Sequence, residues 1–374
     1  MSVYDELIGQ EHIVETLTGA VKAAASGEES QEMTHAWIFT GPPGSGRSSA
    51  AIAFAQALVC KQQGCGTCND CVTAKSGAHP DIEILRSEGL SIKIDEVREL
   101  LTRTAWAPSL AGWRVVVMED ADRLTESAAN ALLKAIEEPG LRTVWLLCAP
   151  TLHDILPTIR SRCRHIQLHT PSNNDVAKFL VSKHQIAPKM ADFAARVSQG
   201  HIGRARHLAT NEDVRNRRHA ILSIPSQINS VATAYAAAAK LVDLANAESD
   251  AISEALDEKE YEALSTALGK GSGKALKELE KEQKSRATRI TRDTLDGALL
   301  DLATFYRDVI MVQAGNTESL INSGLSEQIN KMATNTQSQK TLAKMDAIMK
   351  ARENLQRNGA PLLVMEALMC ELIK

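Results

Sequence analysis

The chain is poor in aromatic residues, at 3% of 374, and contains no run of about 18 apolar residues. The first shortage, set beside abundant Ala and Leu, favours helical layers over an all-β fold. The second means that no transmembrane helix is expected. There is no excess of positive charge either, since the formal net charge is −4. A protein that grips DNA over its whole surface would be basic, so any DNA is expected to be met through partners or a local patch. The start, Met1-Ser2-Val3-Tyr4-Asp5-Glu6, is polar and acidic, unlike a secretory signal, and a cytoplasmic protein is expected. Seven cysteines in such a chain point to metal binding rather than to a disulfide scaffold.

What the chain does contain is ordinary for a soluble globular protein, with 24% charged and 44% hydrophobic residues. Its length suits two or three domains of about 100–200 residues each. Residues 41–48 read Gly41-Pro42-Pro43-Gly44-Ser45-Gly46-Arg47-Ser48. This meets every fixed position of the phosphate-loop pattern G-x-x-x-x-G-K-[ST] except the lysine. An apolar strand, Trp37–Thr40, leads in, and an alanine-rich helix, Ser48–Val59, leads out. Backbone N–H groups and the helix start then favour an anion. Gly41, Pro42, Gly44, Gly46, Arg47, Ser48 and Ser49 are the candidate nucleotide-binding residues. Arginine keeps the charge of lysine but is bulky and planar, so the site is read as degenerate, with ATP or ADP binding left open and efficient hydrolysis not expected.

Arg114–Asp120 is an apolar run ending in Glu119 and Asp120. A strand ending in acids is where Mg²⁺ and water would be held, in the order Asp then Glu. Here the order is reversed, and catalysis that depends on positioning suffers from shifts of about 1 Å. Cys60, Cys65, Cys68 and Cys71 are spaced C-x4-C-x2-C-x2-C. Four thiolates suit tetrahedral, closed, structural Zn²⁺; an iron–sulfur cluster or redox thiols are the less favoured readings. Cys148 and Cys370 lie in apolar runs and are expected in the core.

Strands at Asp81–Leu85, Arg114–Asp120 and Thr143–Cys148 alternate with helices at Ile94–Trp106 and Ser127–Glu138. That alternation predicts an α/β domain with a parallel sheet. After Thr170-Pro171 strands are no longer expected. Asp175–His184 and Met190–Ser198 read as helices, Gly200–Gly203 as a turn, and the chain from about Asn216 as almost all helical. Gly269–Gly273 reads as a break between helices, Lys274–Arg292 as a solvated helix, and Leu295–Val312 and Pro361–Ile373 as apolar helices.

Several segments together resemble the clamp-loader branch of the AAA+ ATPases: Leu7-Ile8-Gly9-Gln10, His35–Gly44, the cysteine knuckle, Asn130–Pro139, and Ser161-Arg162-Cys163. The resemblance is clear over residues 1–215 and loose beyond. It implies a core with the knuckle at 1–170, a small helical lid at 171–215 and an all-α collar for oligomerisation at 216–374. It also implies that Arg162 serves as an arginine finger on ATP held by a neighbouring subunit. The motor subunits of that family would carry lysine at Arg47, Asp-Glu at Glu119-Asp120, a polar sensor near Ala149-Pro150 and a sensor arginine at Gly203. Four departures imply a non-motor, stator subunit. Its partners would be gamma/tau motor and delta subunits, with the sliding clamp and primed DNA met through the assembled complex and no membrane involved. The alternatives are an active gamma/tau-like ATPase, or a zinc-knuckle nucleic-acid module. The acidic balance disfavours the latter. The stretch 246–292 carries no functional reading.

Overall fold

The computed structural model describes residues 2–373 apart from 27–31, 87–88, 105, 110–111, 269–272 and 318. The chain divides into two compact units, Met1–Thr210 and Asn211–Lys374. No helix among the described residues is long and apolar enough to cross a membrane.

The first unit is built on five parallel strands: β1 (Ala36–Thr40), β2 (Ile82–Leu85), β3 (Arg114–Met118), β4 (Thr143–Ala149) and β5 (Arg164–Gln167), in the order β2-β3-β4-β1-β5. β1, β3 and β4 are buried throughout, as strands covered on both faces must be. Their side chains alternate between two cores. Trp37, Phe39, Val115, Val117, Val144 and Leu146 face α1 (Glu11–Ser26) and α2 (Arg47–Val59). Ala36, Ile38, Val116, Met118, Trp145 and Leu147 face α4 (Ile94–Thr104) and α5 (Glu126–Glu137). A short helix, α3 (Asn69–Ser76), follows the knuckle, and α6 (Pro157–Arg160) precedes β5. Helices α7 (Asn173–His184), α8 (Pro188–Ser198) and α9 (Ile202–Thr210) complete the unit.

Most sequence expectations stand within one or two residues, and the departures have physical reasons. β3 stops at Met118, so Glu119 and Asp120 sit in the turn beyond it. α4 ends at Thr104, and Trp106 beyond it is 76% exposed. Ile202 and Gly203, expected in a turn, already belong to α9. β5 and α1 were not expected. β5 buries only Ile166, so no apolar run announces it.

The second unit is helical: α10 (Glu212–Gln227), α11 (Val231–Leu268), α12 (Gly273–Gln313), α13 (Ser326–Asn335), α14 (Ser338–Gln356) and α15 (Pro361–Ile373). Leu295, Leu299, Leu302, Phe305, Tyr306 and Val309 of α12 form the spine of its core, with Met365, Leu368 and Met369 of α15. Inside it, Arg218 Nε donates to Asp301 at 2.8 Å, while Asn322 Nδ2 donates to Asp308 at 3.0 Å. These buried charges are paired, as burial demands. Beyond the core, α11 and α12 are tied by polar contacts: Arg286 donates to Asp257 and Glu260, and Ser249 to the Ala287 carbonyl. The expected break at 269–273 lies outside the described residues except for Gly273, which opens α12.

Candidate functional site

The phosphate loop sits where β1 ends and α2 begins, at the carboxyl end of the sheet, the position at which open α/β sheets hold ligands. Gly41 N–H donates to the Pro150 carbonyl at 3.2 Å, and Ser45 N–H to Pro42 at 3.0 Å. Gly44 and Gly46 both adopt left-handed backbone, φ 87° and 88°, which glycine takes without steric cost. Gly44 has a second constraint, because a Cβ there would collide with His201. Arg47 does not point into open space. Its Nη1 donates to the Gly41 carbonyl at 2.8 Å, so the cation that should meet a phosphate is engaged by the loop itself.

The acids beyond β3 are likewise engaged. Glu119 accepts from Arg86 Nε at 3.0 Å, and Asp120 opens a 3-10 turn over Ala121–Arg123. Asp122, which sequence reasoning passed over, carries a buried Oδ1 without a hydrogen-bond partner. Burial pushes its carboxyl up from the usual range; the charge of Asp120 adds to the rise and Arg47 opposes it. At the expected sensor position Ala149 is buried, and Cys148 before it is fully buried with its thiol pushed up by burial.

A cavity of about 500 Å³ opens between loop and lid, lined among others by Arg47, Ser48, Ser49, His201, Gly203 and Arg206. Gly203 offers no side chain there. Arg206, three residues on and so on a neighbouring part of the same helix face, lines the cavity and is exposed. Arg204 is not among the lining residues; its N–H donates to His201 Nδ1 at 3.2 Å. Burial holds the His201 imidazole below its ordinary value, with the charges of Arg204 and Arg47 acting the same way.

Cys60 caps the far end of α2, and the four Sγ atoms of Cys60, Cys65, Cys68 and Cys71 lie within 4.8 Å of one another. Cys60 Sγ is 3.7 Å from both Cys65 and Cys68 Sγ. Tetrahedral Zn–S bonds of about 2.3 Å require sulfurs roughly 3.8 Å apart, whereas a disulfide requires about 2.05 Å. The backbone N–H groups of Cys68 and Cys71 donate to the Sγ of Cys65 and Cys68 at 3.4 Å. Donation from the Thr67 and then the Cys68 backbone draws the Cys65 thiol down to about 6, whereas burial and the neighbouring thiols hold Cys68 and Cys71 up. The four residues therefore fit Zn²⁺ held in a closed site.

Arg162 stands elsewhere. It follows α6 and precedes β5, whose Arg164 pairs with Trp37 near the start of β1. That is the amino end of the parallel sheet, opposite the phosphate loop. Arg162 is exposed; Nη1 donates to the Thr158 carbonyl at 2.9 Å and Nη2 pairs with Glu137 at 2.7 Å.

The first unit thus joins a P-loop α/β module of five parallel strands, a four-cysteine knuckle on the loop helix and three further helices. The family model described as "DNA polymerase III, delta subunit" matches residues 16–172. DNA polymerase III subunit delta' of Bacillus subtilis is 26% identical over 333 residues, 88% of each chain. The delta' subunit of Pseudomonas aeruginosa is 38% identical over 34% of this chain and 41% of its own. Subunit gamma/tau of Mycobacterium tuberculosis is 34% identical over 43% of this chain, which spans only 28% of that longer protein. A gamma subunit-related protein of known structure from Thermotoga maritima aligns over 91% of this chain and 99% of its own, at 18% identity and a TM-score of 0.39. By sequence the chain is thus similar to DNA polymerase III subunits named delta' and gamma/tau.

Proposed function

We propose that this chain is a non-motor, stator subunit of a DNA polymerase III clamp loader. It helps place the sliding clamp on primed DNA within a hetero-oligomer of gamma/tau motor and delta subunits. Residues 1–170 serve as core, 171–215 as lid and 216–374 as the collar that joins subunits, with structural zinc in the knuckle and the cytoplasm as the place of work. The observation that carries this reading is a contrast in exposure and placement, since Arg47 is half-buried in its own loop and Arg162 is exposed. Arg47 is bonded back to Gly41, whereas Arg162 stands exposed at the opposite end of the sheet. In this reading the chain burns little or no ATP itself. Arg162 leaves Glu137 to neutralise charge developing on ATP bound by the neighbour. An exposed pair such as Arg162–Glu137 holds only about 0–1 kcal/mol, so releasing it costs little.

The test compares ATP turnover by the isolated chain with turnover by its complex with motor and delta subunits, clamp and primed DNA. The expected result is negligible turnover alone, and a slowed complex when Arg162→Ala is introduced. Brisk hydrolysis by the isolated chain would overturn the proposal in favour of a gamma/tau-like motor.

A further inference from the structure

At the amino end of the sheet a cavity of about 450 Å³ is lined by Arg142, Arg162, Arg164, His35 and Trp113, among others, and by no carboxylate among the described residues. Three guanidiniums beside one cavity repel one another unless something negative answers them. Arg162 has Glu137. Arg164 is held by neutral groups, donating to the Glu32 carbonyl at 2.7 Å and lying 4.9 Å from the Trp37 ring centroid. The Arg142 guanidinium has no hydrogen-bond or ion-pair partner among the described residues. The cavity thus carries more positive charge than the described residues neutralise.

Arg142 is also held in a conformation that arginine does not choose. Its φ is 54°, in the left-handed region that side chains other than Gly, Asn and Asp seldom enter. The ladder fixes it there, since Arg114 N–H donates to the Arg142 carbonyl at 2.9 Å. Gly112 makes room, because a Cβ on it would lie 3.3 Å from Arg142 Nη1. Glycine would occupy position 142 more easily. Strained backbone of this kind gathers at functional sites.

We propose that Arg142 is a second cation offered outward beside Arg162, and that the two receive the polyphosphate of a nucleotide carried by the neighbouring subunit. This rests on the reading of Arg162 as a lent arginine. Planar guanidiniums match phosphate oxygens two at a time. Arg164, already stacked and bonded, serves as the wall that keeps the field positive.

The test uses Arg142→Gly, which removes the guanidinium and relieves the left-handed strain together. In the full chain its thermal midpoint is expected at or above the parent's. In the complete complex with motor subunits, clamp and primed DNA, kcat/KM for ATP is expected to fall roughly tenfold, less than for Arg162→Ala. Arg142→Lys, which keeps the charge, should recover part of the loss. Parent-like kcat/KM for Arg142→Gly, alongside a slowed Arg162→Ala complex, overturns this inference and leaves the proposed function standing. Parent-like rates for both variants overturn both. A loss for Arg142→Gly that Arg142→Lys shares in full also overturns it, because charge would then not be what the position supplies.

Discussion

The two ends of one parallel sheet show opposite fates for the same chemistry. At the carboxyl end Arg47 is folded onto the Gly41 carbonyl, Glu119 is paired with Arg86, and His201 presses on Gly44. At the amino end Arg162, Arg142 and Arg164 line a cavity with no acid of its own among the described residues. The difference teaches that a nucleotide fold can keep its shape while its charges are turned inward at one end and outward at the other. Removing a lent arginine should produce the largest effect. An arginine finger is worth about 10³ or more in rate, on the order of 4 kcal/mol. Arg162→Ala should therefore slow the complex by about that factor while leaving the stability of the isolated chain nearly unchanged. A complex that turns over at its parent rate would erase the distinction between the two ends.

The knuckle supports the carboxyl end, because α2 runs from Arg47 to Val59 and Cys60 caps it. Cys71 is wholly buried there, and Gln56 Nε2 of α2 donates to its carbonyl at 2.8 Å. Metal binding to a site formed only on folding adds directly to stability. Cys71→Ser should abolish stoichiometric zinc in elemental analysis. It should also lower the melting midpoint of the first unit by roughly 5–10 °C, the equivalent of a few kcal/mol for a unit of about 200 residues. All four tryptophans, Trp37, Trp106, Trp113 and Trp145, lie in that unit, so their fluorescence reports on it selectively. Unchanged zinc content in the variant would remove Cys71 from the ligand set.

A smaller effect is expected from restoring the motor's cation. Lysine is a compact charge and lacks the guanidinium Nη1 with which Arg47 bonds the Gly41 carbonyl. Arg47→Lys should free the Gly41 carbonyl and tighten ATP binding by the isolated chain roughly tenfold, about 1.4 kcal/mol, as read by calorimetry. Turnover should remain negligible, because Gly203 supplies no cation and the order of Glu119 and Asp120 is unchanged. Brisk hydrolysis after this single change would show that the carboxyl end had lost only one part.

Much of this arrangement was legible from the residues. The loop announces itself by glycine spacing, the buried strands by unbroken apolar runs, and the knuckle by cysteine spacing. What stayed hidden depends on backbone direction or on contacts distant in sequence. Asp122 is separated from Asp120 by one residue, and only the 3-10 turn buries its carboxyl. Arg206 enters the cavity because α9 begins at Ile202 rather than after Gly203. Arg47 reads as a substituted lysine, and nothing in the motif says that its guanidinium bonds the loop. Arg142 looks like any surface arginine, since a left-handed φ leaves no mark on composition when the residue is not glycine. The long α11–α12 pair shows in the sequence as charge. Its pairing of Arg286 with Asp257 and Glu260 across 29 and 26 residues does not.

The smallest expected effect concerns the contact that closes the carboxyl end. His201 sits against Gly44, and burial, aided by the charges of Arg204 and Arg47, holds its imidazole below the ordinary value. The unfolded chain therefore takes up this proton before the native one as pH falls. Stability rises with pH wherever the unfolded state binds more protons. His201 should thus contribute fully above the ordinary histidine value of about 6.5, and its contribution should shrink as pH falls below that, until the native imidazole is itself protonated. His201→Gln keeps a polar side chain of similar reach and removes the titration. Tryptophan-monitored denaturant midpoints for parent and variant should lie closer together at pH 5.5 than at pH 7.5, with the parent losing more on acidification. Among the described residues the amino end holds no equivalent contact, so Arg162→Ala should leave the parent's pH profile unaltered. Equal acid sensitivity in the parent and in His201→Gln would mean that the lid's hold on the loop does not depend on a neutral imidazole.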